Sequence, residues 1–190
     1  MQIAMTDVER TLFESLLRCS RGYVEFGTGG STLAAASLVR ESIISVDSSA
    51  AWIERVRQAC TEQCVPVQPT LVTANVGETG DWGWPTDPTK REDWPNYHTA
   101  IWSVPGATHA DLFLVDGRFR VACFMQAMIR CDLGALLAIH DFAIRPHYHA
   151  ILPFVREIAR AENLSVFLRR EDYDRQGADD VISKHIYEPA

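Results

Sequence analysis

Tyr23-Val24-Glu25-Phe26-Gly27-Thr28-Gly29-Gly30-Ser31-Thr32 is the stretch on which the fold turns. Residues 23–26 read as a short strand running directly into glycines. Ser31 to Arg40, rich in Ala and Ser and opened by a Ser/Thr cap, then reads as a helix. Strand, tight turn and helix within about twenty residues require glycine at the turn, because the backbone must reverse sharply and let a ligand approach with no Cβ in the way.

Working outward, Thr6 to Arg18 carries Val8, Leu12, Leu16 and Leu17 at helical spacing, with Thr6 as its N-cap. This helix, the main element of residues 1–20, is expected to lid one side of the domain. On the other side of the turn, Ile43 to Val46 is a second buried strand with Asp47 at its carboxyl end. A helix over Ala50 to Gln63 follows, then a third strand near Val67 to Ala74. Asp111 to Val115, closed by Asp116-Gly117, is a fourth strand and Phe119 to Arg130 its helix. Gly134 to His140 is a fifth, followed after Pro146 by a helix to about Glu162. Val166 to Leu168 and Val181 to Ile186 read as two last strands, joined without room for a helix.

Strands that alternate with helices and are apolar on both faces predict a mainly parallel sheet with helices on each side. The expected fold is therefore a three-layer αβα, doubly wound, Rossmann-like sheet of about seven strands with a C-terminal antiparallel edge hairpin. At 190 residues and 47% hydrophobic content the chain suits one domain. Residues 75–98 interrupt the rhythm with Gly77, Gly80, Gly83, Pro85, Pro88 and Pro95 among Trp82, Trp84 and Trp94. Three tryptophans favour an ordered loop insertion, over an acceptor pocket or packed on the domain.

A net charge of −7 repels a phosphate backbone, so nucleic acid is not the expected partner. The five cysteines, Cys19, Cys60, Cys64, Cys123 and Cys131, read as reduced and structural; Cys60 and Cys64 fall i, i+4 on one helix face without a second pair to complete a metal site. Acidic residues in the first turns fit neither signal nor transit peptide, and no run suits a bilayer, so the expected location is the cytoplasm, away from membranes. Monomer and homodimer both stay open.

Ligands of open α/β sheets bind beyond the carboxyl ends of the strands at the switch point, which puts the Gly27 to Thr32 turn, Asp47, Asn75, Asp116 and Asp141 on one rim. Asp47, twenty residues after Gly27, is an acceptor suited to both ribose hydroxyls. His140, Asp141, His147 and His149 are the candidates for a general base or its orienting partner.

Val24 to Thr32 resembles the first motif of class I S-adenosylmethionine-dependent methyltransferases, and Asp47 matches their second. Asp111 to Gly117 and Ala138 to Asp141 are similar to the fourth and fifth strand ends of the branch with small-molecule O-methyltransferases. The resemblance implies S-adenosylmethionine (SAM) as cofactor and a small molecule as methyl acceptor. It places the methionine end over Glu25 and Gly27, the ribose on Asp47 and the adenine beside Asn75 and Val76. Thr28, Gly29, Ser31 and Ser48 complete the cofactor set, and Asp116 faces the methionine end or the acceptor. His140, Asp141 and Asp116 are the implied catalytic set. Phe142 stands where metal-dependent relatives carry an amide, so no metal is expected. Two rivals remain: a nicotinamide-dependent oxidoreductase, for which Thr32 replaces the third glycine, and a non-catalytic ligand-binding protein of the same fold.

Overall fold

A computed structural model describes residues 1–190. Seven strands form one sheet in the order β3-β2-β1-β4-β5-β7-β6. They are β1 (Gly22–Phe26), β2 (Ser42–Asp47), β3 (Thr70–Thr73), β4 (Leu112–Val115), β5 (Leu136–Ile139), β6 (Val155–Ala161) and β7 (Leu164–Arg169). β1 to β5 run parallel, β7 lies antiparallel to β5, and β6 closes the edge antiparallel to β7. The order reverses at β1, so the β1 and β4 ends form the switch point where a crevice opens in such sheets.

The helices divide between the faces. On one lie α1 (Asp7–Cys19), α2 (Gly30–Leu38) and α3 (Ala50–Glu62); on the other lie α4 (Asn96–Thr99), α5 (Arg120–Arg130) and α6 (Arg175–His185). Alternation in β1 sends Tyr23 to the α1–α3 face and Val24 and Phe26 to the other. The α4–α6 face carries the larger core, with 32 buried residues against 16, because α5 is buried along nearly its whole length. No helix is long and apolar enough to cross a membrane.

The edge hairpin forms from different residues than the sequence pattern predicts. Val155–Ala161, read as the end of a helix, is β6, and Val181 to Ile186, read as a strand, lies within α6 and its C-cap. Val155, Ile158 and Ala159 fit a helical stripe as well as an edge strand. Pairing decides the matter: Ala161 lies opposite Leu164, so Glu162-Asn163 makes a two-residue turn with Glu162 at φ +49°. In α6, Ala178 and Ile182 at i, i+4 are the buried positions, so the helical period prevails.

The 75–98 segment is ordered by 3₁₀ turns at Asp81–Gly83 and Pro88–Asp93. Its tryptophans part company. Trp94 packs against the core at 6.0 Å from the Phe119 ring, whereas Trp82 is 87% exposed and Trp84 partly so. Cys64 lies beyond the end of α3 at φ +50°, exposed, while Cys60 is buried, so the two do not share a helix face.

Candidate functional site

The β1–β2 half of the rim is built on the glycine turn. Gly27 adopts φ +105°, and a Cβ there would meet the Gly117 amide nitrogen at 2.5 Å, so glycine is required by a contact inside the protein. A Cβ on Gly30 would run into the Gln2 carbonyl, so the N-terminal segment crosses the head of α2. Gly29 differs: nothing lies within 4 Å of where its Cβ would be, and its extended φ of 175° suits any residue. That makes it the open point of the turn.

Asp47 steadies this turn by accepting the Thr28 N–H at 3.1 Å and the Ser49 N–H at 3.0 Å, one on each carboxylate oxygen. Each oxygen keeps a lone pair for a further donor. Burial raises its pKa, against those amides. Ser48 Oγ beside it is buried without a hydrogen-bond partner, and Gly83 lies against it, since a Cβ on Gly83 would sit 3.0 Å away. Trp52 Nε1 donates to the Thr28 carbonyl at 2.6 Å, and Thr28 Oγ1 lies 2.9 Å from Ser45 Oγ.

Glu25 lies behind the turn, with no solvent exposure, on the α2 side of β1. Ser31 Oγ donates to it, as do Thr32 Oγ1 at 2.5 Å and Ser45 Oγ at 2.9 Å. Burial holds its carboxyl up at about 7, against the pull of these hydroxyls. Glu25 and Ser31 thus secure the turn from within. On the adenine side, Val76 is fully buried in the core, and exposed Asn75 turns its Oδ1 to the Gly77 N–H at 3.1 Å. The side chain of Val76 is thus not an open ligand face.

The β4–β5 half is charged. His140, one residue past β5, has Nδ1 3.1 Å from Asp116 Oδ1 and Nε2 3.3 Å from Glu9 Oε2. Asp141 Oδ1 stands 3.6 Å from Nδ1. Burial works against its charge, but the Asp116 hydrogen bond and the surrounding carboxylates raise its pKa to about 9. At neutral pH it is an imidazolium donating from both nitrogens, with no lone pair to accept a proton. Arg120, 4% exposed, bridges Asp116 at 3.3 Å and Asp141 at 3.1 Å while donating to the His140 and Gly117 carbonyls. Asp116 Oδ2 makes no hydrogen bond and remains free at the rim. His147 is exposed, and His149 Nε2 lies 3.2 Å from the Phe142 carbonyl. No group of three or more His, Cys, Asp and Glu side chains is arranged to hold a metal ion.

Glu9 escaped the sequence reading. It closes a capping box with Thr6, accepts the Asn163 N–H at 2.9 Å and faces His140, so α1 is tied to the hairpin turn and the rim together. The available signal was Thr6-x-x-Glu9, which marks a helix start and hides the longer reach of the same carboxylate. Arg120, Arg145 and Tyr148, also unflagged, gather around Asp116 and Asp141, with Arg118 beside them. Two concavities, of about 650 and 260 Å³, lie away from this rim, beside α1 and near Arg21 and Asp132.

With sheet order, turn and rim in place, comparison with solved structures gives the class. A methyltransferase-like protein (spo2022) from Silicibacter pomeroyi DSS-3 superposes with a TM-score of 0.91 at 26% identity, covering 99% of this chain and 98% of that one. Cofactor-bound Rv0187 from MTB gives 0.63 at 14% identity over 90% and 84% of the two chains. An O-methyltransferase from Bacillus cereus in complex with SAH gives 0.58 at 12% over 87% and 82%. The chain has the class I SAM-dependent methyltransferase fold. No protein-family model matches it, and no curated protein does.

Proposed function

We propose that this chain is a SAM-dependent methyltransferase acting on a small molecule. The observation that carries this reading is the pairing of an open glycine turn with Asp47 and the unpartnered Ser48 hydroxyl at the β1–β2 end of the switch point. That donor and acceptor set fits a ribose diol: two carboxylate oxygens with spare lone pairs and one hydroxyl. When bound, SAM supplies an electrophilic sulfonium methyl for in-line displacement by an acceptor heteroatom.

The remaining roles fall to the β4–β5 half. Asp116 orients the acceptor and receives its hydrogen through the free Oδ2. His140, Arg120 and Asp141 are positioning residues: the imidazolium and guanidinium clamp Asp116 Oδ1, and Asp141 balances both. Calorimetric titration with S-adenosylhomocysteine (SAH), with NAD beside it, tests the reading. One site per chain for SAH and none for NAD is expected, with Asp47→Ala weakening binding by about 1–3 kcal/mol. Failure of SAH to bind, or undiminished affinity in a folded Asp47→Ala protein, rejects it.

A second reading, a non-catalytic ligand-binding protein, is favoured by one observation: Gln2 over Gly30 and Gly83 over Ser48 bring the chain's own segments against the turn. Turnover of bound SAM with a panel of phenols, carboxylates, amines and thiols separates the two. Methyl transfer to any member rejects the second reading.

A further inference from the structure

The cations of the β4–β5 half are unevenly paired. Arg120, Arg145 and protonated His140 face the carboxylates of Asp116, Asp141 and Glu9, whereas Arg118 has no ion pair, feels the Asp47 charge across the rim and lies 5.8 Å from the Trp84 ring. Arg120 and His140 are fully engaged by those acids, which leaves Arg118 and Arg145 short of partners. Arg118 Nε and Arg145 Nε are both buried without a hydrogen-bond partner; Asp141 Oδ2, 3.5 Å from Arg145 Nε, makes only a loose ion pair there. Tyr148 is fully buried, and its hydroxyl is likewise unpartnered. The Arg120 and Arg145 guanidiniums lie 5.7 and 5.9 Å from its ring, and Arg118 falls in the same electrostatic neighbourhood. Buried polar groups are ordinarily paired, so three unpaired donors in one place need an explanation.

We infer that Arg118, Arg145 and Tyr148 form a subsite for an anionic group, a carboxylate or phosphate, carried by the methyl acceptor. This rests on the methyltransferase reading above and names the substrate class for it. Two guanidiniums supply only donors and the phenol O–H adds one more, which suits an anion's acceptor-only oxygens. Burial keeps the Tyr148 hydroxyl protonated and therefore a donor. Arg145, partly exposed, gives the route from solvent, and Asp116 Oδ2 flanks the same end of the sheet. The anion fixes the acceptor at one end while its reacting heteroatom meets Asp116.

The test is calorimetric titration of the whole chain, with and without SAH, at fixed ionic strength. The probes are 4-hydroxybenzoate, phenyl phosphate and the neutral 4-hydroxybenzamide. At least one anion is expected to bind at least tenfold more tightly than the amide, and the better anion assigns carboxylate or phosphate. Arg118→Gln and Arg145→Gln should each weaken it by about tenfold, as loss of a charge-assisted contact implies. Tyr148→Phe should weaken it several-fold, and Arg156→Gln, an exposed arginine on β6, should change nothing. Equal affinity for anions and amide, or unchanged affinity in both arginine variants, overturns the subsite. SAH binding without an anion response removes this inference alone. Anion binding without SAH binding removes the methyltransferase reading and leaves an anion site of another purpose.

Discussion

Along one rim of the sheet, the β1–β2 half surrounds its carboxylates with hydroxyls and amides, whereas the β4–β5 half surrounds its own with guanidiniums and an imidazolium. The consequence is opposite charge preference two strands apart in the sheet. Glu25, buried among neutral donors, is held up at about 7, so its charge is disfavoured. His140, buried among carboxylates, is held up at about 9, so its charge is favoured. Burial opposes the charged form in both, and the neighbours decide how far it succeeds. Neutral chemistry suits a ribose and charged chemistry suits an anion, which is the division the two proposed sites require.

The largest expected effect falls where the halves touch. Gly117→Ala would place a methyl well inside contact with the Tyr97 hydroxyl and 2.8 Å from Gly27 Cα, forcing the two loops apart. Destabilisation of about 3 kcal/mol is expected in urea denaturation. A loss below about 1 kcal/mol would mean that the halves are not rigidly joined.

Next come two pH windows that separate the halves. His140 holds its proton more tightly folded, at about 9, than its ordinary value of 6.5 allows. Its stabilisation is complete below about 6.5 and is lost as pH rises through 9, amounting to about 3 kcal/mol. Thermal denaturation of His140→Gln should lack that upper decline. Glu25 also has a raised folded value, about 7 against 4.5, so its contribution is complete below about 4.5 and is lost as pH rises through 7. Glu25→Gln should flatten the lower window, by a comparable or smaller amount, and leave the upper one intact. Identical profiles for both variants and the parent would break the comparison.

Gly29→Ala should do least to stability, within about 0.5 kcal/mol, because its methyl would meet nothing and its backbone is extended. The same change should lower SAH affinity, since the open side of the turn is where a ligand would approach. Unchanged SAH binding there would move the ligand off this turn.

The β1-to-α3 run was legible because its signals are local. Glycines after a short apolar strand, a small-residue helix and an acid at the next strand end all fall within Tyr23 to Glu62. The hairpin was legible as a feature and misplaced in residues. Val155 to Ala161 and Val181 to Ile186 each satisfy two periodicities, and only pairing with β7 or packing on α5 chooses between them. Glu25 and Ser31 showed their positions in sequence but not their direction. Alternation in β1 turns Glu25 toward α2, and a strand buried on both faces offers no polar side to reveal that.

By itself, then, the sequence determined the doubly wound class, the glycine turn and Asp47 as its acidic partner, because each depends on neighbours within a turn or one strand–helix unit. Tertiary structure alone decided that Asp116, with Glu9 from 131 residues away, would charge His140, and that Arg118, Arg145 and Tyr148 would be left with donors unspent. Those groups come from α1, the β4 loop and the segment after β5. Their chemistry depends on burial and through-space distance, which no local spacing encodes.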